Sequence, residues 1–332
     1  MTALTEFSSR YLVATASHLW QTLVVVLVLF ALARPMRRAP AWMQNALWWV
    51  ALGKLLMPFS VVTPAVRRAV GTLLSSVAPV AMSGEATRAV VGRAAQILDP
   101  VSAVAGRETA SLGLASSIFI AVWLAGAVWI MSVWFRSREG GLLADAKRIC
   151  ELSGDVRTAL RAAVDHTRIP ESALLVTEKR IMPSAVGVLR RRIVVPEELA
   201  SRLPTVELRA ILLHEDAHRR RFEPLQSAIQ RAAAVAFYYF PPLWAVLARL
   251  RDSSELTCDE SVVRQGVRPS DYARALAHTV SMSLEPIATA PALLRGTPTL
   301  TKRRLERLTL HEGRSEVKKL HWAVLGLAVL TA

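Results

Sequence analysis

Long apolar runs limit what this chain can fold into more than any other feature of its sequence. Residues 11–33 and 109–135 carry no formally charged side chain, and residues 41–62 carry only Lys54. A helix of about 20 apolar residues crosses a hydrocarbon core about 30 Å thick. A cleaved signal peptide would have a shorter apolar stretch and no further spans after it. We therefore predict three transmembrane helices, at about residues 11–33, 41–62 and 109–135.

The distribution of arginines predicts how these helices are oriented. Arginines fill the loop after the first span and follow the third span (Arg34, Arg37, Arg38, Arg136 and Arg138). Because positively charged loops remain on the cytoplasmic side, both loops are predicted to be cytoplasmic in a multi-pass protein of the bacterial inner membrane. The predicted organisation is a membrane domain at 1–136, a cytoplasmic domain at 137–319 and the beginning of a fourth transmembrane helix at 320–332.

The net charge of +15 raises the question of nucleic-acid binding. The two densest cationic runs, 219–221 and 302–304, have no aromatic residues between the charges and no recognition motif. We predict that they are solvated or face lipid, and no direct contact with nucleic acid is expected. Cys150 and Cys258 are far apart in sequence, which provides no disulfide framework and fits a reducing compartment.

The segment 137–319 is predicted to be α+β. Two short β-branched runs, at 173–177 and 192–196, suit a small sheet or a hairpin. Thr205 is a plausible cap for the helix that follows. The uncharged stretch 232–248 is interrupted by Pro241 and Pro242, so it is predicted to form two shorter helices instead of one span.

The pentapeptide His214-Glu215-Asp216-Ala217-His218 indicates a metal site. Two histidines four residues apart project from one face of a helix, so both imidazoles can reach a single Zn²⁺ ion. Glu215 can accept a proton from a metal-activated water. We predict a catalytic zinc site in which Glu215 is the general base.

A third protein ligand is needed, and the sequence offers a pair of carboxylates. Glu255 and Asp259 lie four residues apart in a helical pattern and so share a helix face. One carboxylate can bind zinc while the other orients a ligand histidine through its free ring N–H. Taken alone, the pair would be an ordinary solvated acidic face; next to the histidine motif we favour the metal site.

These motifs resemble the M56 family of membrane metallopeptidases, the relatives of the BlaR/MecR β-lactam-sensing transducers. The resemblance also includes IMPSAVGVLRRRIVVPEEL at 181–199, HEDAHRRRFEPL from residue 214, FPPLWAVLARLRDSSELTCDE at 240–260 and the basic LTKRRLERL. It implies a mostly α membrane protein with transmembrane helices and a cytoplasmic α+β gluzincin-like zinc metallopeptidase domain. It further implies Zn²⁺ at His214, His218 and Glu255, base catalysis by Glu215, and Asp259 as the acid behind a ligand.

The resemblance also implies partners. The expected substrate is a peptide or protein, either the chain itself or a BlaI/MecI-like repressor, and the other partner is the lipid bilayer; a homo-oligomer is compatible with the sequence. The strand near 192–195 is a candidate for binding an extended substrate by β-augmentation. Tyr272 is considered as an additional oxyanion donor but is not assigned.

Departures from the family pattern favour an alternative. Asp216 and Arg219 stand where the family usually has apolar residues, whereas Glu223 stands where the family usually has an acid. Asp216 lies nearly opposite His214 around the helix, so it is predicted to face solvent. A distorted site would make the chain a catalytically inactive membrane transducer that binds a cytoplasmic partner, whereas the intact Glu215 favours the peptidase.

Overall fold

The computed structural model describes residues 2–57, 113–136 and 146–282, apart from 153, 166 and 180, together with Arg304. The end of the second predicted span and the predicted fourth span lie outside the described residues. Within them the protein is mostly helical, with one small sheet.

Three apolar helices come first in the chain: α1 (Thr2–Ala33), α2 (Ala41–Leu56) and α3 (Gly113–Arg136). Among the described residues, the segment Ala14–Ala33 is long and apolar enough to cross a membrane, and Ser117–Ser132 forms a shorter apolar helix. The first predicted span is therefore present as a helix of sufficient length. The second and third spans remain predictions.

Four short strands form one sheet: β1 (Lys147–Arg148), β2 (Leu174–Thr177), β3 (Ser184–Val186) and β4 (Arg192–Pro196). Their order is β1-β2-β4-β3. The two strands predicted from sequence, β2 and β4, are parallel neighbours, so a sheet is confirmed and a hairpin between them is excluded. Because β4 is paired on both sides, the edges of the sheet belong to β1 and to β3, and β3 is antiparallel to β4.

Six further helices complete the described chain: α4 (Asp155–Val164), α5 (Glu197–Arg202), α6 (Thr205–Arg220), α7 (Glu223–Ala236), α8 (Pro241–Arg264) and α9 (Pro269–Met282). The break at Pro241 is as predicted, since α7 ends before it and α8 begins on it. Thr205 does not cap α6. It is the first helical residue, and Pro204 is in the capping position, where its side chain makes no capping hydrogen bond.

Helix α6 lies at the centre of the main hydrophobic core. It packs against α4, α8, α9 and the strands β3 and β4. Leu208 and Leu212 on this helix are fully buried. A helix enclosed on most of its circumference has no purely solvated face, and Asp216 is therefore buried, at 2% exposure. The apolar Val206, in the first turn of the same helix, is 54% exposed.

A second core joins α1 and α2 to α7 and α8. Leu29, Leu47 and Leu250 are among its buried members. Buried polar contacts fix its register: Asn45 of α2 donates to the carbonyl of Leu250 at 3.2 Å and to Ser253 Oγ at 3.0 Å. These contacts hold the part of α8 that comes just before Glu255 and Asp259.

Candidate metal centre

The two histidines of α6 face each other across one helical turn. Their Nε2 atoms are 3.0 Å apart, and their rings meet edge to face with centroids 4.6 Å apart. Both residues are buried, as expected for the inner face of the central helix. Helical i, i+4 spacing thus places both ring nitrogens at one point.

Glu255 of α8 supplies a carboxylate at the same point. Its oxygens lie 3.5 Å from His214 Nε2 and 3.9 Å from His218 Nε2, and one ligand atom from each of the three residues falls within a 4.8 Å cluster. Two imidazole nitrogens and a carboxylate oxygen are the donor set of a catalytic zinc site with one position left for water. The structure thus brings together the three ligands predicted from sequence, and they fit Zn²⁺.

The second ring nitrogen of His218, Nδ1, is held by Glu223. A carboxylate oxygen of Glu223 forms a short hydrogen bond with His218 Nδ1. This contact depends on a sharp turn at Phe222, whose left-handed backbone (φ 58°) ends α6 and directs α7 back across the site. The Sγ atom of Cys258, a fully buried residue, lies 3.5 Å from the same nitrogen. Sequence reasoning noted the acid at 223 but did not give it this role.

The second ring nitrogen of His214, Nδ1, contacts a hydroxyl group in place of a carboxylate. Tyr272 of α9 places its hydroxyl 2.7 Å from His214 Nδ1 and donates to Asp259 Oδ1 at 2.5 Å. The direct distance from His214 Nδ1 to Asp259 Oδ1 is 3.4 Å. Asp259 therefore lies behind the predicted ligand His214, with the tyrosine hydroxyl between them. This position behind the ligand also argues against Tyr272 as an oxyanion donor.

Arg304 reaches the site from a distant part of the chain. Its guanidinium binds both oxygens of Asp259, at 2.9 and 2.8 Å, and lies 3.0 Å from Glu255 Oε2. The side chain is only 15% exposed. The prediction that the 302–304 run is solvated or lipid-facing is wrong for this residue, because the buried carboxylate of Asp259 and the partly buried one of Glu255, on one face of α8, attract a cation.

Burial and neighbouring charges together shift the pKa values of the acids in the site in opposite directions. Burial raises the pKa of Glu215, although the two histidines partly offset this. Burial would also raise the pKa of Glu255, but the hydrogen bond with His214 and the charge of Arg304 hold it well below its usual range. Burial and the adjacent Asp259 charge raise the pKa of Tyr272, so its hydroxyl stays protonated. The site thus contains a firmly ionised ligand and a more basic Glu215, as a proton-accepting role requires.

The two departures from the family pattern on α6 pair with each other. Asp216 is buried and faces Arg219, with Nη2 of the arginine 2.7 Å from Oδ1. Arg220 binds the other carboxylate oxygen. The prediction that Asp216 faces solvent is wrong, but its charge is compensated, so it does not by itself indicate a degraded site.

This pairing predicts a non-additive double-mutant cycle. Asp216→Leu leaves Arg219 without its partner and should lower the free energy of unfolding by about 1–3 kcal/mol. Asp216→Leu combined with Arg219→Leu should cost less than the sum of the two single substitutions, with a coupling of about 0.5–3 kcal/mol. Thermal unfolding in detergent measures the stability of the wild type, the two single variants and the double variant. Strictly additive costs would show that the two side chains are independent.

Comparison with known proteins places this arrangement in a family. The profile described as BlaR1 peptidase M56 matches residues 14–308. The chain therefore belongs to the M56 peptidase family, whose BlaR1-like members are membrane proteins of signal transduction. This confirms the family resemblance read from the motifs.

The chain is also similar to one curated relative. The chain is 23% identical over 159 residues to a protein of Bacillus licheniformis named "Regulatory protein BlaR1". The aligned region makes up 47% of this chain and 26% of that relative. The chain thus matches about a quarter of the relative's length, and the relative's full activity does not transfer with the match.

Proposed function

We propose that this protein is a membrane-embedded zinc-dependent endopeptidase with a gluzincin-like domain. The observation that carries the proposal is the convergence of the Nε2 atoms of His214 and His218 with the Glu255 carboxylate, next to the buried Glu215. A purely structural zinc site has no need of a general base. The presence of Glu215 beside this donor set therefore favours catalysis.

The chain's own residues have distinct tasks in peptide hydrolysis. When bound by His214, His218 and Glu255, a zinc ion supplies Lewis acidity to the scissile carbonyl and to the attacking water. Glu215 accepts the proton from that water at its carboxylate. Its raised pKa also suits it to pass the proton to the leaving amine. A group that must both accept and donate a proton works best when its pKa is near the operating pH.

Substrate binding is better assigned to β3 than to the strand at 192–195. β4 has neighbours on both sides, whereas β3 is the edge strand that packs against α6 and α7. An extended peptide can add to such an edge through main-chain hydrogen bonds. Ser184–Val186 would then place a substrate alongside the helix that carries the histidines.

We infer a role in transmembrane signalling. Membership of the M56 family and the similarity to a regulatory protein support it. The proposed substrates are the chain itself and a BlaI/MecI-like cytoplasmic repressor, with the peptidase domain on the cytoplasmic side of a bacterial inner membrane. The alternative is an inactive transducer that binds a cytoplasmic partner, and the compensated pairing of Asp216 weakens the sequence argument for it.

Chelation tests the peptidase proposal. The full chain purified in detergent should contain about one zinc ion per molecule. Removal of zinc should abolish self-cleavage on a gel and cleavage of an unfolded protein substrate, and added zinc should restore both. A protein that takes up no metal in zinc-replete buffer, or that is cleaved equally with and without chelator, would support the inactive transducer instead.

A further inference from the structure

Three side chains from three parts of the chain form a connected group behind the predicted ligand His214. Arg304 Nη2 donates to Asp259 Oδ1 at 2.8 Å, Tyr272 Oη donates to the same oxygen at 2.5 Å, and Tyr272 Oη lies 2.7 Å from His214 Nδ1. Tyr272 is fully buried and Asp259 is 4% exposed. Buried polar groups arranged in this way have fixed partners, because no bulk water replaces them.

The number of available protons fixes the direction of each hydrogen bond. A guanidinium has donors only, so both oxygens of Asp259 act as acceptors towards Arg304. The single proton of Tyr272 points at Asp259, and the Tyr272 oxygen must then accept from His214 Nδ1–H. An imidazole with its proton on Nδ1 carries its lone pair on Nε2, which is the atom directed at His218 and Glu255.

We infer that Tyr272 is a positioning residue that selects the metal-binding tautomer of His214 and carries the influence of Asp259 to it. The direct alternative, in which Asp259 accepts from His214 itself, has the longer contact, 3.4 Å against 2.7 Å. Arg304 keeps Asp259 turned towards the hydroxyl by binding both of its oxygens. This deepens the proposed function, on which it rests for the identity of the metal.

The two predicted histidine ligands are therefore supported by different chemistry. His218 has the carboxylate of Glu223 directly on Nδ1, while His214 has a neutral hydroxyl with its carboxylate one step further away. A carboxylate in direct contact makes an imidazole a stronger donor than a hydroxyl does. Loss of the tyrosine hydroxyl should consequently change the ligand field on the His214 side alone.

Metal titration of variants tests the inference without using activity. Metal-free full-length protein in detergent is titrated with Zn²⁺ against a chromophoric chelator, and separately with Co²⁺, whose visible absorption reports ligand geometry. Tyr272→Phe should weaken zinc binding about 10–100-fold and shift the Co²⁺ absorption. Thr279→Val is the control, because it removes another buried hydroxyl of α9, one that donates to the carbonyl of Ala275; it should leave both readings unchanged.

A double substitution separates the relayed contact from the direct one. If Asp259 acts through Tyr272, Asp259→Asn with Tyr272→Phe should weaken zinc binding no more than the more severe single substitution. Additive losses, or a Tyr272→Phe protein with wild-type affinity and spectrum, would overturn the inference while leaving the zinc site and the peptidase proposal intact. A wild-type protein that binds no zinc would instead overturn the peptidase proposal. If circular dichroism shows that Tyr272→Phe does not fold, a Co²⁺ spectrum that is unchanged in Asp259→Asn overturns the inference, and a shifted one supports it.

Discussion

Glu215→Gln should lower the rate of peptide hydrolysis by about 10²–10⁴-fold, the usual contribution of a positioned general base. Glutamine has nearly the same size as glutamate but cannot accept a proton from water. Because Glu215 is not among the three residues whose ligand atoms converge, the variant should keep its zinc. Rates are measured on a peptide or unfolded protein substrate, with zinc content determined on the same preparation.

Glu207→Gln provides the matched control for this result. Glu207 is a buried glutamate two turns earlier on α6, where its carboxylate faces His278. The amide oxygen of a glutamine can still accept from that histidine, so the variant should remain folded and active. If Glu215→Gln retained wild-type activity, or lost its zinc, the proposal that Glu215 acts only as the general base would be wrong.

The second large effect is expected at the predicted carboxylate ligand. Glu255→Gln removes the only anionic donor among the three converging residues. The loss of zinc affinity should exceed the roughly 10–100-fold penalty for losing a hydrogen-bond partner behind a ligand. Zinc should then be lost on desalting, and peptide hydrolysis should fall with it. Competitive zinc titration measures the affinity directly.

Glu260→Gln is the corresponding control on α8. Glu260 lies five residues after Glu255 and accepts from the backbone N–H of Ala41, which a glutamine oxygen can also do. Zinc affinity should stay at the wild-type value. Equal affinities in the wild type and Glu255→Gln would mean that another residue completes the site, and the assignment of Glu255 would be wrong.

Local sequence patterns predicted the centre of the site because helical geometry fixes side-chain direction over short distances. His214 and His218 needed only an uninterrupted helix to meet. Glu255 could be placed by its helical spacing to Asp259 and by its family resemblance, although α8 had still to pack against α6. The strands β2 and β4 were found because β-branched runs between turn signals are easy to recognise, while the three-residue β3 is too short to produce a pattern.

The remaining features depend on contacts distant in sequence, which no local pattern encodes. Arg304 lies 45 residues beyond its partner Asp259, and within a basic run it is indistinguishable from a solvated cation. Tyr272 is one aromatic residue on a helix until packing places its hydroxyl at His214. Asp216 was misassigned because a helical wheel assumes one solvated side, whereas α6 is enclosed by neighbours on most sides.

The contacts of α2 with α8 and with the residue that follows α6 have a mechanical consequence. Asn45 accepts a hydrogen bond from Arg221, just beyond α6, and donates to Ser253, two residues before Glu255. Helix shifts in switching proteins are about 1–2 Å, whereas metal coordination tolerates deviations of only about ±0.2 Å. A displacement of α2 that moves Arg221 and Ser253 apart would thus change the distance between the histidine pair and Glu255. The stability of the metal complex would then respond to tension in an apolar helix that contributes no ligand.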